Sequence, residues 1–263
     1  MDLGLRGKVA LVAASSKGLG RAVAEELAAE GAHLVLCARG KEALEKTAES
    51  IRQKTRVKVV AVAADVSNPA DAARVVKAAF DQLGRVDILV TNSGGPPSGP
   101  FEKLTPEMWD AATGLLLKSA IELTRAVLPG MKERRWGRIL NVTSIAAKQP
   151  IEGLMLSNSL RAAVIGFART LANEVAPFNV TVNNLLPGYT RTDRVEELAR
   201  AAGGKAGGSS TDIVAKWEKE IPIGRLGEPR EFAALAAFLA SERASYITGS
   251  SIAVDGGWIR SIL

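Results

Sequence analysis

Two glycines near the start of the chain have the spacing of a backbone site for phosphate. Gly18 and Gly20 lie in the segment SSKGLG, between an apolar run and an amphipathic run, and Ser16, Lys17 and Leu19 complete the turn. Glycine permits a tight turn and lets a phosphate approach the N–H groups that open the following helix. The pattern predicts a pyrophosphate-binding turn of a dinucleotide site, although an ordinary strand-to-helix turn has a similar sequence.

A second position that bears on ligand chemistry follows the next apolar run, in the segment LCARGKEAL. Dinucleotide folds that bind NAD place an acidic residue near this point, where it accepts hydrogen bonds from the ribose hydroxyls. This chain has Arg39 there, and Lys17 belongs to the glycine turn. Two cations at one corner would neutralise a 2′-phosphate, so they favour NADP(H) over NAD(H). The alternative is that either cation faces solvent.

The composition excludes several other chemistries. The chain has one Cys, Cys37, and one His, His33, so it cannot form an intrachain disulfide or a Cys/His metal site. A histidine-based nucleophilic triad would have to use His33, which begins the second apolar run. We therefore expect no metal site, and we interpret Cys37 as a small core residue rather than a reactive thiol.

The charge balance and hydropathy limit the partners. The 263 residues carry a formal net charge of +6, spread along the chain without a long block of like charges. A basic protein suits an anionic partner, but scattered Lys and Arg are typical of a solvated surface, so we predict no nucleic-acid partner. No apolar run reaches the about 18 residues that span a membrane, and the first residues lack the pattern of a signal peptide. We expect a soluble, cytoplasmic protein with no membrane partner.

The elements that must position these residues alternate in type along the chain. Seven apolar runs of strand length alternate with amphipathic runs of helical periodicity. This pattern predicts an α/β fold, with a Rossmann-type doubly wound sheet of seven parallel strands and helices on both faces. The expected strands lie at 8–14, 33–38, 57–65, 86–92, 136–144, 180–188 and 251–255, and the expected helices at 21–31, 41–54, 69–84, 106–132, 154–175 and 229–240.

Two segments rich in Gly, Ser and Pro are predicted to be loops. One lies at 93–100, after the fourth strand, and the other at 203–210, between two helical stretches. Ligands of open α/β sheets bind outside the carboxyl ends of the strands, so a flexible insertion there indicates a mobile lid, which we place around 190–222. A surface loop without function is the alternative for 203–210. No linker separates two cores, so we expect one domain over 1–263.

Longer motifs make the chain resemble the short-chain dehydrogenase/reductase family, and within it the members similar to 3-oxoacyl-[acyl-carrier-protein] reductase. The family's glycine turn, TGxxxGIG, is AASSKGLG here, so Ala14 replaces the first glycine. RLGEP from Arg225 and SYITGSSIAVDGGW from Ser245 match the family's C-terminal signature. The resemblance implies a small carbonyl or alcohol substrate and a homotetramer or homodimer. It also implies cofactor contacts at Asp65 and Val66, at Asn92, Ser93 and Gly94, and at Pro187, Gly188 and Thr192.

The catalytic residues that the resemblance implies are the ones in which this chain departs from the family. Reduction of a carbonyl by hydride needs a proton donor beside the oxygen, and the family uses Asn, Ser, Tyr and Lys for this. Ser144 matches the Ser, but Ser157 stands at the Tyr position, Arg161 at the Lys position and Leu116 at the Asn position. A serine hydroxyl is a far poorer acid than a phenol of pKa about 10, and a guanidinium stays protonated at working pH.

Two hypotheses follow from this combination. In the first, the chain is an NADP(H)-linked oxidoreductase with altered acid–base groups, in which Ser144 orients the substrate and Arg161 holds the ribose or polarises the carbonyl. In the second, it is a catalytically inactive nucleotide-binding sensor or partner subunit. Tyr189 offers either a replacement phenol or an aromatic wall. A scaffold that binds no nucleotide is a third alternative, because the methyl group of Ala14 would crowd the turn.

Overall fold

A parallel sheet forms the centre of the protein. The computed structural model describes residues 2–206 and 208–262, and within them seven strands pair in the order β3-β2-β1-β4-β5-β6-β7. Every neighbouring pair in this order is parallel. The predicted doubly wound fold is thereby confirmed. The strands are β1 (Val9–Ala13), β2 (His33–Ala38), β3 (Val59–Ala63), β4 (Ile88–Thr91), β5 (Gly137–Val142), β6 (Val180–Pro187) and β7 (Ser251–Val254).

Helices cover both faces of the sheet, which is why its strands are continuous apolar runs. In β1, Ala10 and Val12 pack into the layer of α1 and α9, whereas Leu11 and Ala13 pack into the layer of α3, α5 and α6. No helix in the described ranges is both long and apolar enough to cross a bilayer. The helices are α1 (Gly18–Ala29), α2 (Lys41–Lys54), α3 (Pro69–Leu83), α4 (Pro106–Thr113), α5 (Ser119–Glu133), α6 (Met155–Val175), α7 (Asp193–Ala206), α8 (Ser210–Glu220) and α9 (Pro229–Ala240).

The strand order reverses between β1 and β4. Strands β2 and β3 lie on one side of β1, and β4 to β7 lie on the other. The connections that leave the carboxyl ends of β1 and β4 therefore diverge, which opens a crevice between them. The glycine turn after β1 and the loop after β4 both border this crevice, so the fold brings together two segments that the sequence separates widely.

The helix expected at 106–132 is interrupted in the structure. A π-helical turn, Gly114–Lys118, separates α4 from α5. Leu116 lies in this turn and packs in a buried cluster with Leu156 and Leu160 of α6. The segment is helical almost throughout, as expected, but the sequence did not reveal the π-helical turn. A π-helical turn adds one residue to the helix, which shifts the apolar face slightly and does not interrupt it. Turns of this kind are frequent at functional sites.

Of the loop expected at 203–210, residue 207 lies outside the described residues, and most of the described part is helical. Helix α7 continues to Ala206 and includes two of the glycines, and α8 begins at Ser210. Ser209 caps α8, since its Oγ accepts a hydrogen bond from Asp212 N and the Asp212 carboxylate accepts one from Ser209 N. A glycine inside a helix costs only about 1 kcal/mol, so the glycines alone were a poor signal for a loop.

Ala14 follows β1 in a backbone conformation that alanine rarely adopts. Its φ is 49°, in the left-handed region where Cβ crowds the following carbonyl. Gly20 in the first turn of α1 packs against it, and a Cβ on Gly20 would overlap the Ala14 carbonyl oxygen. The turn therefore closes around Gly20, while Ala14 carries backbone strain. The Ala14 methyl group does not fill the crevice but lines it.

Replacing Ala14 with glycine should relieve this strain. We expect Ala14→Gly to raise the free energy of unfolding by about 0.5–1 kcal/mol, because glycine adopts a positive φ freely. Denaturant unfolding would measure the change. The matched control is Ala13→Gly at the end of β1, which is fully buried, and it should lower the stability. Destabilisation by both substitutions would contradict the assignment of strain to Ala14.

Candidate active site

A cavity of about 730 Å³ occupies the crevice at the carboxyl ends of the strands. Of the residues predicted for the site, Gly20 does not line this cavity. It packs against Ala14 behind the glycine turn and so allows α1 to approach the end of β1. All the other residues predicted for the site line this one cavity. They are Ser16, Lys17, Gly18, Leu19, Arg39, Asp65, Val66, Asn92, Ser93, Gly94, Ser144, Ser157, Arg161, Pro187, Gly188 and Thr192.

The glycine turn presents the open end of a helix to the cavity. Helix α1 begins at Gly18, whose φ is +58°, and no side chain caps its first N–H groups. The first turn of α1 also lacks an acidic residue. These N–H groups and the positive end of the helix dipole therefore remain available to an anion. The geometry suits the pyrophosphate that the sequence predicted here.

The two cations predicted for the 2′-phosphate corner differ in their surroundings. Arg39 is exposed at the end of β2, and within the described residues no carboxylate pairs with it. Lys17 instead forms an ion pair with Asp193, with 2.7 Å between Nζ and Oδ2. Their hydrogen bond raises the pKa of Lys17 and lowers the pKa of Asp193. Arg39 is thus the freer of the two charges toward a phosphate, and Lys17 joins the turn to the start of α7.

The end of the cavity beside β3 is where the family resemblance implies the adenine of the cofactor, and we call it the adenine end. A carboxylate with several hydrogen bonds shapes its wall. The Oδ1 atom of Asp65 accepts hydrogen bonds from the N–H and the hydroxyl of Ser67. The N–H of Asp65 donates to Asp71, and this bond together with Arg74 lowers the pKa of Asp71. These contacts fix the backbone after β3 at the cavity wall, where Asp65 and Val66 were expected.

Ser144, Ser157 and Arg161 lie together at the opposite end of the cavity. Ser144 Oγ accepts a hydrogen bond of 3.1 Å from Ala146 N. Ser157 Oγ accepts one of 3.2 Å from Arg161 Nε, one turn later on α6. In both serines an N–H donor engages the oxygen, so the hydroxyl proton is left to be donated. Both serines line the cavity, so each hydroxyl can donate a hydrogen bond to a ligand bound there.

Arg161 also fixes the end of β5. Its Nη1 donates to the carbonyl oxygens of Val142 and Thr143, at 3.0 and 2.8 Å. No ion pair to Arg161 is formed by any carboxylate in the described chain. Burial, and secondarily the charge of Arg194, lowers the pKa of Arg161 to about 10, so the guanidinium remains charged at neutral pH. Sequence reasoning found Arg161 but not the backbone contacts that hold it.

Two neighbouring residues at the start of α7 tie this helix to opposite walls of the cavity. Asp193 pairs with Lys17 of the glycine turn, and Arg194 Nη2 donates to the carbonyl oxygen of Pro96 in the loop after β4. A Cβ on Gly95 would lie 2.5 Å from Arg194 Nε, so this contact requires glycine at 95. Gly95, Pro96 and Arg194 were missed in the sequence, where no local pattern joins residues so far apart.

Tyr189 is part of an aromatic cluster rather than a free phenol. Its ring stacks on Trp217 of α8, with centroids 4.3 Å apart, and meets the edge of Trp258 at 5.9 Å. Burial and the nearby charge of Glu220 raise the pKa of Tyr189 to about 12. A phenol with that pKa is a weak proton donor at neutral pH, so the structure favours the aromatic wall over the replacement acid.

The lone Cys and the lone His lie in structural positions. Cys37 is fully buried, and burial raises the pKa of its thiol to about 12, so it is a poor nucleophile. His33 Nδ1 accepts a hydrogen bond from Lys58 N between neighbouring strands. In residues 2–206 and 208–262, no group of three His, Cys, Asp or Glu side chains is placed to hold a metal ion.

Comparison with known proteins agrees with this architecture. The family model for enoyl-(acyl carrier protein) reductase matches residues 13–259. The chain is 38% identical over 255 residues to the 3-oxoacyl-[acyl-carrier-protein] reductase FabG of Vibrio cholerae, covering 97% of this chain and 98% of the relative. It is a member of the short-chain dehydrogenase/reductase family. The predicted family resemblance is thereby confirmed.

Solved reductases share the whole fold of this short-chain dehydrogenase/reductase. L-Sorbose reductase from Gluconobacter frateurii, complexed with NADPH and L-sorbose, superposes with a TM-score of 0.95 at 38% identity and full coverage of both chains. A variant of actinorhodin polyketide ketoreductase with NADPH superposes with a TM-score of 0.93 at 30% identity, over 97% of this chain and 98% of that one. In the present chain, Leu116 stands where the family has its catalytic Asn. The Leu116 side chain is buried and cannot form a hydrogen bond.

The contact between Arg194 and the loop after β4 predicts how the start of α7 is held. In Gly95→Ala the new methyl group would displace the guanidinium and break its hydrogen bond to Pro96. We expect backbone hydrogen exchange in the first turns of α7 to accelerate about 2- to 10-fold, the effect of losing one hydrogen bond. Gly94→Ala is the matched control, since no atom lies within 4 Å of its Cβ position. Equal exchange in the two variants would refute this role for Gly95.

Proposed function

We propose that this protein is an NADP(H)-linked oxidoreductase that interconverts a carbonyl group and an alcohol, with a charge-stabilising site in place of a phenolic proton donor. The observation that carries the proposal is the pair of hydroxyl donors, Ser144 and Ser157, in one cavity with an uncapped helix end. The alternative is a catalytically inactive nucleotide-binding sensor or partner subunit, which the loss of the phenol alone would favour.

The residues of the glycine turn fit a phosphorylated dinucleotide. The first N–H groups of α1 are free for the pyrophosphate, and Gly20 lets α1 pack closely on Ala14, since a Cβ there would overlap the Ala14 carbonyl oxygen. Arg39 supplies a cation where an acidic residue would bind the ribose hydroxyls of NAD. The two solved reductases named above, each complexed with NADPH, support the same cofactor preference.

The chemistry at the other end of the cavity differs from general acid catalysis. Bound NADPH supplies a hydride to the carbonyl carbon. Ser144 and Ser157 donate hydrogen bonds to the carbonyl oxygen as negative charge develops on it, and Arg161 polarises the Ser157 hydroxyl through Nε. Hydride transfer leaves an alkoxide, a strong base that takes a proton from solvent water to give the alcohol, and the hydroxide that forms passes to bulk solvent. Serine and guanidinium give up no proton in the net reaction. Oxidation of an alcohol follows the same steps in reverse.

Further properties are part of the proposal and rest on the family. The substrate is a small carbonyl or alcohol compound, and a 3-oxoacyl thioester is one candidate because of the FabG relative. We infer a homotetramer or homodimer in the cytoplasm, from the resemblance described above. The segment 190–222 acts as a mobile lid, which is supported by the position of α7 and α8 beside the cavity.

The cofactor preference is tested by titrating the protein with NADPH and NADH and following fluorescence. We expect Arg39→Glu to weaken NADPH binding about 10- to 100-fold, because a charged hydrogen bond to the 2′-phosphate is lost, and to change NADH binding little. Lys46→Glu is the matched control, since Lys46 is exposed on α2 and pairs with Glu42. An equal loss for NADPH and NADH in Arg39→Glu would contradict the proposed phosphate contact.

The role of the serines is tested on a substrate found by screening ketones and 3-oxoacyl thioesters with NADPH. Ser144→Ala and Ser157→Ala should each lower kcat about 10²- to 10³-fold, the effect of removing one donor to an oxyanion, with unchanged NADPH affinity. Ser159→Ala, exposed on the same helix as Ser157, should leave kcat unchanged.

Two results would overturn these roles. Full activity in Ser144→Ala and Ser157→Ala would exclude the two-donor site. Tight NADPH binding without turnover of any compound in the screen would favour the sensor or partner subunit. In that case Ser157→Tyr combined with Arg161→Lys should create weak activity, because the pair restores a phenol and an ammonium to the cavity.

A further inference from the structure

Arg161 is a half-buried charge in the cavity wall, and no carboxylate of the described chain pairs with it. Its Nη1 and Nε atoms donate to two backbone carbonyls and to Ser157 Oγ, which are neutral acceptors. The structure records no hydrogen bond from Nη2 within the described chain, and Arg161 lines the cavity. A half-buried cation without a counter-ion is partly stripped of water, and this favours the binding of an anion in the cavity.

A second guanidinium reaches the same cavity from α7. Arg194 is half-buried in the cavity wall. Its guanidinium donates a hydrogen bond to the carbonyl oxygen of Pro96 and packs on Gly95, where a side chain would overlap it. The exposed Glu197 lies one turn further along α7, with its Oε2 atom 3.7 Å from Arg194 Nη1, and it contacts the guanidinium at that nitrogen. The charge of Arg194 also lowers the pKa of Arg161, in keeping with the place of both residues in one cavity wall.

The acidic residues of the cavity wall are engaged elsewhere. Asp65 lies at the adenine end and is bonded to Ser67, and Asp193 is paired with Lys17. Glu197 remains with Arg194 on the solvent side. Within the described part of the chain, the end of the cavity that holds the two serines therefore carries net positive charge. An anion between Arg161 and Arg194 would relieve their repulsion.

We propose that the substrate carries a carboxylate, which Arg194 and Arg161 bind while Ser144 and Ser157 bind the reacting carbonyl oxygen. This inference rests on the proposed function and names its substrate class. Guanidinium N–H groups donate charged hydrogen bonds to carboxylate oxygens, and in Arg161 the Nη2 group is the one left for such a bond. Because Arg161 contacts Ser157 directly, the carboxylate and the carbonyl lie within a few bonds of each other. The substrate class is thus a short 2-oxo or 3-oxo acid and the corresponding hydroxy acid.

Binding to the complex saturated with NADP⁺ tests this without turnover. The protein is titrated calorimetrically with 2-oxobutanoate and acetoacetate, and with the methyl ester of each. We expect at least one acid to bind about 10-fold or more tightly than its ester, since the ester keeps the carbonyl but loses the charge. Inorganic phosphate is titrated as well, and phosphate binding that exceeds that of both acids would overturn the assignment to a carboxylate.

The arginine variants locate the charge that is recognised. Arg194→Gln should reduce the acid-to-ester affinity ratio about 10-fold, and Arg161→Lys, which keeps the charge but loses the fork, should reduce it less. Arg191→Gln is the matched control, because Arg191 pairs with Glu218 and Glu228 outside the cavity wall. Equal affinities for acid and ester, an absence of binding by either, or the same ratio in Arg194→Gln as in Arg191→Gln would each overturn the inference.

Failure of the carboxylate inference and failure of the proposed oxidoreductase activity give different results. Reduction of neutral ketones as efficient as that of oxo acids would overturn the carboxylate inference and leave the oxidoreductase intact. A selective, Arg194-dependent binding of oxo acids without hydride transfer would support the anion site and overturn the catalytic proposal. If Arg194→Gln weakens NADP⁺ binding and leaves the acid-to-ester ratio unchanged, Arg194 serves the cofactor and the inference fails.

Discussion

The chemistry proposed for this protein depends on a half-buried guanidinium, Arg161, that is held without a carboxylate of the described chain. Arg161 Nη1 donates hydrogen bonds to the carbonyl oxygens of Val142, the last residue of β5, and of Thr143, which follows it. Each contact of the guanidinium fixes a different part of the site. The bonds to Val142 and Thr143 fix the backbone that leads to Ser144. The bond from Nε to Ser157 orients the hydroxyl of that serine toward the cavity. The uncompensated charge sets the electrostatic character of the reaction end. A lysine would supply one donor group and could not make these contacts together.

Most of the fold could be predicted from the sequence because its determinants are local. Burial on both faces makes each strand an unbroken apolar run, and the alternation with amphipathic helices permits few topologies other than a doubly wound sheet. The ends of α2 and α9 match the expected ranges, 41–54 and 229–240, because charged residues and Pro229 mark them clearly. The cofactor end was predictable for the same reason, since the glycine turn and its helix are one continuous segment.

The contacts that were not predicted join residues that are distant along the chain or depend on exact backbone geometry. The ion pair between Lys17 and Asp193 and the packing of Arg194 on Gly95 exist only because the sheet brings α7 to the carboxyl ends of β1 and β4. The π-helical turn around Leu116 preserves the apolar stripe, so periodicity does not reveal it. Each of these features lies at the cavity, where the requirements of a site outweigh local propensity.

The Tyr and Lys of the family supply a phenol beside an ammonium, which together deliver a proton. In the mechanism proposed for this chain, two serine hydroxyls and a guanidinium stabilise the negative charge on the carbonyl oxygen instead. This difference determines what the surroundings must supply. Arg161 has a pKa of about 10 and Tyr189 one of about 12, so neither changes its charge in the neutral range. In the proposed mechanism the proton comes from water, so the site must admit water while it holds the reactants in place. The contacts of Asp193 and Arg194 suit the lid proposed above, because an exposed ion pair and a single hydrogen bond each stabilise the position of α7 only weakly.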